Sequence, residues 1–327
     1  MRALLIIFLT FLFHSADFCL AQSQTKEAPY AYLFSHMTAE KYGRLYYSVS
    51  MDGLNWKKMN NGEPVMDSSY WGHSDIIRGH DGKYYMPGNN RTGKNADNEI
   101  AIWQSDDLIN WKLFNKFGPS DILQMRKGNL KSYGAPKLYF DTTDKQYILS
   151  WQTPNEERVK NSMDTFWRSM VIYYSTSKDL RSFAPSKKMF PWNFAMIDVI
   201  VRHIDNKWYA FIKEEMMPSP SRPTGKSIRL STSLSLDGPW TYPQEQISPN
   251  WREAPTLVKK IDGNGWLLYY EQYPGNGYEV ISAATVEGPW YEVYSNWYSV
   301  PSNTRHGSII TITKTEYDRL VKKFGIN

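Results

Sequence analysis

One short unit returns five times along this chain, so any fold it adopts must use that unit five times. Its first element is a pair of apolar runs joined by a polar turn. The copies are Ile76 to Met86 around His80-Asp81-Gly82-Lys83, Leu138 to Trp151 around Asp141-Thr142-Thr143-Asp144-Lys145, Val199 to Ile212 around Asp205-Asn206-Lys207, and Thr256 to Tyr270 around Asp262-Gly263-Asn264-Gly265. A fifth, degenerate copy starts at Ser308-Ile309-Ile310. β-Branched and aromatic residues flanking turn formers read as hairpins. The second element is a strand running into a short turn that ends in an aromatic: Ser50 to Trp56, Ser105 to Trp111, Ser177 to Phe183, Ser235 to Trp240 and Thr285 to Trp290. With roughly 50 to 60 residues and four strands per unit, the repeat is a propeller blade. The chain is therefore predicted to be all-β, a five-bladed β-propeller of four-stranded blades around a central pocket, with a β-sandwich as the structural alternative. Ala31 to Phe34 is predicted to complete the last blade and close the ring. Helical periodicity is nearly absent apart from Lys314 to Lys323, and no linker rich in Pro, Gly or Ser divides residues 22–327, which read as one domain.

The first 21 residues read as an export signal. Arg2 gives a short basic start, Ala3 to Phe13 is almost continuously apolar, and Cys19-Leu20-Ala21 offers small residues for cleavage. The apolar stretch is too short for a spanning helix, and nothing later reaches the roughly 18 apolar residues that a span needs. Ala16-Asp17-Phe18 is a poor approach to a lipidated cysteine, so cleavage is expected in place of lipid anchoring. The expected location is periplasmic or extracellular. Cys19 is the one cysteine, so the processed chain has no disulfide and must be held by its core. The net charge of +5 is scattered, with no basic run that would track phosphates, which excludes nucleic acid as an expected partner. The 13 Trp and 23 Tyr suit sheet packing, and such rings also stack on sugars.

The first strand of each blade lines the channel of a propeller, so the residues just before each hairpin converge. Read in order they are His73-Ser74-Asp75, Gly134-Ala135-Pro136-Lys137, Ile197-Asp198, Arg252-Glu253-Ala254-Pro255 and Arg305-His306-Gly307. Inner strands otherwise built from Ile, Val and Leu have no packing reason for acids, and a buried charge is costly unless it is paired or used.

In this order the set resembles glycoside hydrolase family 43, whose members are five-bladed propellers. The resemblance rests on Asp75, Ala135-Pro136, Ile197-Asp198, Glu253-Ala254-Pro255 and His306, with Arg305-His306-Gly307-Ser308 and Lys213-Glu214-Glu215 as further matches, and it covers nearly the whole processed chain. It implies an inverting, exo-acting glycosidase of the α-L-arabinofuranosidase or β-D-xylosidase type, acting on plant or algal oligosaccharides. Such hydrolysis needs one carboxylate to activate water and one carboxylic acid to protonate the leaving oxygen, about 6.5 to 9.5 Å apart. By resemblance Asp75 is the base, Glu253 the acid, and Asp198 the neighbour that orients the acid and keeps it protonated. His306 would hold an axial water or ion; no cofactor is required, and a structural Ca²⁺ near His306 is the one ion that the family suggests.

Blade 1 departs from the family pattern, because a gapless alignment of Ile76-Ile77-Arg78-Gly79 puts the base position on His73. The base is then Asp75, His73 or absent. Lys137, Arg252 and Arg305 flank the acids and would attract an anionic substituent or pair with Asp198. Trp71 and Trp151 are candidate sugar platforms, Asn90 follows the blade 1 hairpin toward substrate hydroxyls, and Glu215 belongs to the Lys-Glu-Glu match. Two other functions stay open: a family 117-like anhydrogalactosidase, disfavoured by the short Ser23 to Pro29 stretch before the first strand, and a glycan-binding propeller that has lost its base.

Overall fold

The computed structural model describes residues 27–89, 99–118, 134–155, 166–275 and 277–327. Chain order gives β1 (Pro29–Thr38), β2 (Tyr46–Ser50) and β3 (Lys57–Lys58), and then blade 1 with β4 (Ile77–Arg78), β5 (Tyr84–Asn89), β6 (Ile100–Ser105) and β7 (Lys112–Phe117). Blade 2 holds β8 (Gly134–Asp141), β9 (Gln146–Pro154), β10 (Met170–Ser177) and β11 (Lys187–Lys188). Blade 3 holds β12 (Met196–Ile204), β13 (Lys207–Glu214) and β14 (Ile228–Ser233). Blade 4 holds β15 (Arg252–Lys259), β16 (Trp266–Gln272), β17 (Gly277–Ala283) and β18 (Tyr291–Glu292). Last come β19 (Thr304–Thr313) and the helix α1 (Lys314–Phe324).

These strands make five antiparallel sheets, and the chain is the predicted five-bladed propeller. The outer position of blade 3 is held by a bridge from Arg229 to Gln246. β19 pairs with β1, Tyr32 opposite Thr311 and Phe34 opposite Ile309, so the first and last strands share blade 5 and close the ring as the sequence predicts. The helix is capped by Thr313 and Glu316, which bond each other's backbone N–H. Glu316 also takes Arg78 at 2.8 Å and the Tyr84 hydroxyl, which pins the helix to blade 1.

The repeated second element has a backbone reason. Its fourth residue is left-handed in every blade: Gly53 (φ 73°), Leu108 (63°), Leu180 (59°), Gly238 (90°) and Gly288 (97°). In three copies the aspartate just before it accepts the N–H groups that the turn exposes. Asp52 accepts from Leu54 and Asn55 (both 2.8 Å), Asp107 from Ile109 and Asn110, and Asp179 from Arg181 and Ser182. Glycine adopts this conformation freely, whereas leucine pays about 1–2 kcal/mol for it. Leu108 and Leu180 are fully buried between blades, and such burial contributes about 2–5 kcal/mol over a truncated side chain. Burial therefore outweighs strain. Leu108→Gly should lower stability by about 1–3 kcal/mol despite relieving the backbone, seen as a lower urea midpoint with an unchanged slope.

Neighbouring blades are stitched at the axis by a repeated hydrogen bond. Ser308 Oγ accepts from the Ile76 N–H (2.9 Å), Asp75 Oδ2 from the Leu138 N–H (2.8 Å), and Thr256 Oγ1 from the Ile309 N–H (3.1 Å). Just before this position the ladder of the inner strand breaks register, between Gly134 and Lys137, Ile197 and Ile200, and Glu253 and Thr256. Within the breaks Ala135, Asp198 and Ala254 take left-handed backbone, with φ of 45°, 49° and 49°. The equivalences that follow order the whole axis. Asp75, Lys137, Ile200, Thr256 and Ser308 share the stitching position. Two residues earlier stand His73, Ala135, Asp198, Ala254 and His306. One residue earlier again stand Gly72, Gly134, Ile197, Glu253 and Arg305.

Candidate active site

A cavity of about 260 Å³ opens where the inner strands begin. The earlier two of the three axial positions supply its floor: His73, Asp198 and His306 from one, Ile197, Glu253 and Arg305 from the other. Ala135 and Ala254 are the small members of the first set, and their size leaves room for the three that converge.

Each convergent side chain has defined neighbours. His73 stacks on His306 with ring centroids 4.0 Å apart and planes at 26°. His73 Nε2 meets the Tyr42 hydroxyl at 2.9 Å, and its Nδ1 is 4.0 Å from Asp198 Oδ1. His306 Nδ1 is 3.8 Å from Asp198 Oδ2, while its Nε2 is 3.5 Å from Glu253. The Asp198 N–H donates to Gln152 Oε1 at 2.9 Å, which fixes the left-handed residue from the neighbouring blade. Glu253 stands 3.6 Å from both Lys213 Nζ and an Arg305 nitrogen. Lys213 and Lys226 both grip Glu215.

Burial governs the charge states here. It pushes the Glu253 carboxyl above the usual range; Lys213 and Arg305 oppose it, and the Asp198 charge adds to it. The Lys213 ammonium is pushed down by burial, with Glu253 resisting. Glu271, paired to Arg305 and accepting the His306 N–H at 3.0 Å, is pushed up by burial and by the Glu253 charge. Both imidazoles are driven well down by burial, His73 further by His306 and His306 further by Lys137 and Arg305, so the stacked pair is neutral.

The twelve residues singled out in the sequence divide. Asp198, Glu253, His73, Glu215, Arg305 and His306 line the cavity. Asp75 does not: it is buried behind the cavity and committed to the Leu138 N–H at the stitching position that Thr256 and Ser308 fill in other blades. His73 holds the equivalent of the Asp198 position in blade 1. Trp151 does not line the cavity either, being 2% exposed in the interblade core, with Tyr173 alongside at 6.5 Å. Arg252 turns away to a two-pronged pair with Glu279 at 2.7 and 2.8 Å. Lys137 is buried outside the cavity wall, near enough to the histidines to oppose their protonation. Trp71 packs over Gly43 beside Tyr42, leaving the wall itself to the tyrosine. Asn90 lies outside the described residues.

Several residues of the site escape sequence reasoning. Gln152 and Glu271 stand near the ends of the second strands of blades 2 and 4, directly opposite Gly134 and Glu253, at the register that Lys213 holds opposite Ile197 in blade 3. A polar residue ending an otherwise apolar strand, at the same register in three blades, is the signal that would have found Glu271 and Gln152. Tyr42, Trp167 and Tyr273 form an aromatic rim from segments outside the blade strands that carry no repeat. They, and not Trp151, are the rings that a sugar would meet. A larger cavity of about 640 Å³ lies at the opposite ends of the strands between blades 2 and 3. Lys187 pairs there with Asp237 and His203 with Asp141, whereas the convergent carboxyls and imidazoles of the axial positions line the smaller one.

The calcium suggested by the resemblance fits this donor set poorly. Calcium takes six to eight oxygens, whereas two of the three groups meeting on the axis are imidazoles and the carboxyls beside them are gripped by Lys213 and Arg305.

A five-bladed propeller with a buried, cation-flanked carboxyl pocket at the start of its inner strands is the architecture of a carbohydrate-processing enzyme class. Residues 28–318 match the model of the glycoside hydrolase 43-related family, described as a probable glycosyl hydrolase domain, and the chain belongs to that family. An α-L-arabinofuranosidase of Bifidobacterium longum subsp. longum is 24% identical over 280 residues, 73% of this chain but 26% of the relative. The chain thus spans about a quarter of the length of that relative. Among solved structures, a thermostable family-43 glycoside hydrolase superposes with a TM-score of 0.53 at 17% identity, over 74% of this chain and 79% of the other. The exo-β-1,3-galactanase of Phanerochaete chrysosporium superposes at 0.51 and 16% identity, over 72% and 53%.

If Asp75 is scaffold, its acceptor oxygen matters and its charge does not. Asp75→Asn should keep any sugar-releasing activity within a few-fold. Asp75→Ala should cost about 1–3 kcal/mol by orphaning a buried N–H, read by thermal denaturation beside initial rates. A base would instead lose activity in both variants alike.

Proposed function

We propose that this protein is an exported, exo-acting, inverting glycosidase that removes one terminal sugar from an oligosaccharide, with Glu253 as the general acid. One observation carries the reading: Glu253 stands in the wall of the axial cavity with its carboxyl pushed up by burial, the state that an acid needs in order to deliver a proton to a leaving oxygen. A cavity of about 260 Å³ with a floor favours the end of a chain over its middle. Tyr42, Trp167 and Tyr273 at its mouth suit the ring that follows the scissile bond. On the opposite side of the sugar, water would be held by His73 and Asp198, with Tyr42 orienting the His73 ring. The names of the relatives, an α-L-arabinofuranosidase and an exo-β-1,3-galactanase, support an arabinofuranosidase or galactosidase specificity.

One observation favours a competing reading. Asp75 Oδ2 is bonded to the Leu138 N–H of the next blade, which supports a propeller that lacks the blade 1 base and binds a glycan without cleaving it. Nitrophenyl α-L-arabinofuranoside, β-D-xyloside and β-D-galactoside, together with matching oligosaccharides, separate the two. The proposal expects release of one sugar, a fall in kcat of about 10²–10⁴-fold in Glu253→Gln, and an inverted anomeric configuration in the first product by proton NMR. Binding by calorimetry with no release from any of them, or a retained configuration, would defeat it.

A further inference from the structure

Two residues before the acid, a tryptophan stands in a backbone conformation that packing does not repay. Trp251 has a φ of 63°, in the left-handed region where a bulky side chain is strained. Among the described residues it is the one aromatic side chain held there. The large aliphatic ones, Leu108 and Leu180, recover the cost by full burial, whereas Trp251 is 37% exposed. A lone exposed apolar side chain is ordinary at a surface. A strained one persists only where its surroundings over-determine it, and such residues cluster at ligand sites.

The surroundings here do hold it. The Arg252 N–H donates to the Lys226 carbonyl at 2.8 Å, and the Arg252 guanidinium donates to the carbonyls of Asn250 at 2.8 Å and Trp251 at 3.4 Å. Glu279 fixes that guanidinium in turn. The Asn250 side chain accepts the Gly225 N–H at 3.1 Å and donates to the Pro223 carbonyl at 2.8 Å. Arg252, a substrate contact by sequence, thus positions the residue that precedes it.

The indole lies next to the chemistry. Its ring is 6.2 Å from that of Tyr273, with planes at 68°, and Tyr273 belongs to the cavity wall. Tyr273 carries the Lys213 ammonium 5.3 Å from its centroid, and that ammonium is 3.6 Å from Glu253. Carboxyl, amine, phenol ring and indole therefore form one row that runs from the buried acid to the surface. A general acid protonates the oxygen that leaves, so the departing part of a substrate lies on the acid's side.

We propose that Trp251 forms a second leaving-group subsite, stacking on the neutral sugar ring that follows the one at Tyr273, so that the preferred substrate has at least three units. The assignment rests on Glu253 being the acid of a glycosidase. An indole offers a broad apolar face that suits the C–H face of a sugar. The 6.2 Å between the two rings is about the length of one sugar unit. The charges beside the indole, Arg252 and Glu279, neutralise each other in a two-pronged pair, which favours a neutral ring over an anionic one.

The test uses the full chain with β-1,3-galacto- and α-1,5-arabino-oligosaccharides of two and three units. In a Glu253→Gln background the third unit should tighten binding about tenfold by calorimetry in one of the series, and adding Trp251→Gly should abolish that gain. With Glu253 intact, Trp251→Gly should lower kcat/KM about tenfold on the trisaccharide and about twofold on the disaccharide, the loss carried by KM. Trp251→Phe should restore most of it, and Trp297→Ala, at an indole 60% exposed elsewhere, should leave the length preference unchanged. Because glycine adopts left-handed backbone freely, Trp251→Gly should keep its thermal midpoint within about 2 °C of the parent. A trisaccharide that binds no better than the disaccharide in either series, equal weakening of both lengths by Trp251→Gly, or a lowered midpoint with the length preference intact would overturn the subsite. Release of no sugar, with the third unit still tightening binding through Trp251, would overturn the hydrolase reading and leave the glycan contact standing.

Discussion

The backbone of an inner strand reaching the axis is the constraint on which the rest of this structure depends. Strands converging on one line run out of partners there, and their N–H groups become buried donors that must find acceptors. The chain meets this with a side-chain oxygen from the preceding blade, supplied by Ser308, Asp75 or Thr256, and with a register break just before it. The break is what turns Asp198 into the channel on left-handed backbone and sets Glu253 one residue earlier, in the wall. Site and scaffold are thus neighbouring positions of one device, which is why an aspartate two residues from His73 can serve the ring and not the pocket.

The same convergence sets the electrostatics. Asp198, Glu253 and Glu271 share a small, mostly buried volume with Lys213 and Arg305, and burial is the largest influence on Glu253, Glu271 and Lys213 alike. Glu253 and Glu271 are pushed up and the Lys213 amine down, so these groups hold their protons by desolvation, with the ion pairs as corrections. The histidines are kept neutral for the same reason, and in neutral form each has a nitrogen lone pair to offer.

Much of the fold was legible because propeller blades repeat. Turn chemistry recurs at a fixed offset, with Gly53, Leu108, Leu180, Gly238 and Gly288 all left-handed, and alternating apolar runs flank it. The closing pair of β1 with β19 was readable from an unpaired apolar run at Ala31 to Phe34. The site was legible only where it follows the repeat. Glu253, Asp198 and His306 stand at offsets that counting can find, and Gln152 and Glu271 stand at one that counting could have found. Asp75 and His73 could not be told apart because channel-facing and ring-stitching residues are two apart and share a strand face in any pattern read by period. Trp151 misled because an indole in a blade looks the same in sequence whether it packs or stacks. Tyr42, Trp167 and Tyr273 come from the connections between strands, which the repeat does not govern, and their convergence is a property of the closed ring alone.

A stitching position holds Asp75, and a pocket holds His73, Asp198 and Glu253. A crystal structure with a bound monosaccharide product tests this division most directly. The expected result is a sugar in the axial cavity with its anomeric carbon between Glu253 on one side and His73 with Asp198 on the other, and Asp75 still bonded to the Leu138 N–H. A sugar contacting the Asp75 carboxylate, or one seated in the cavity between blades 2 and 3 with the axial pocket unchanged, would contradict it.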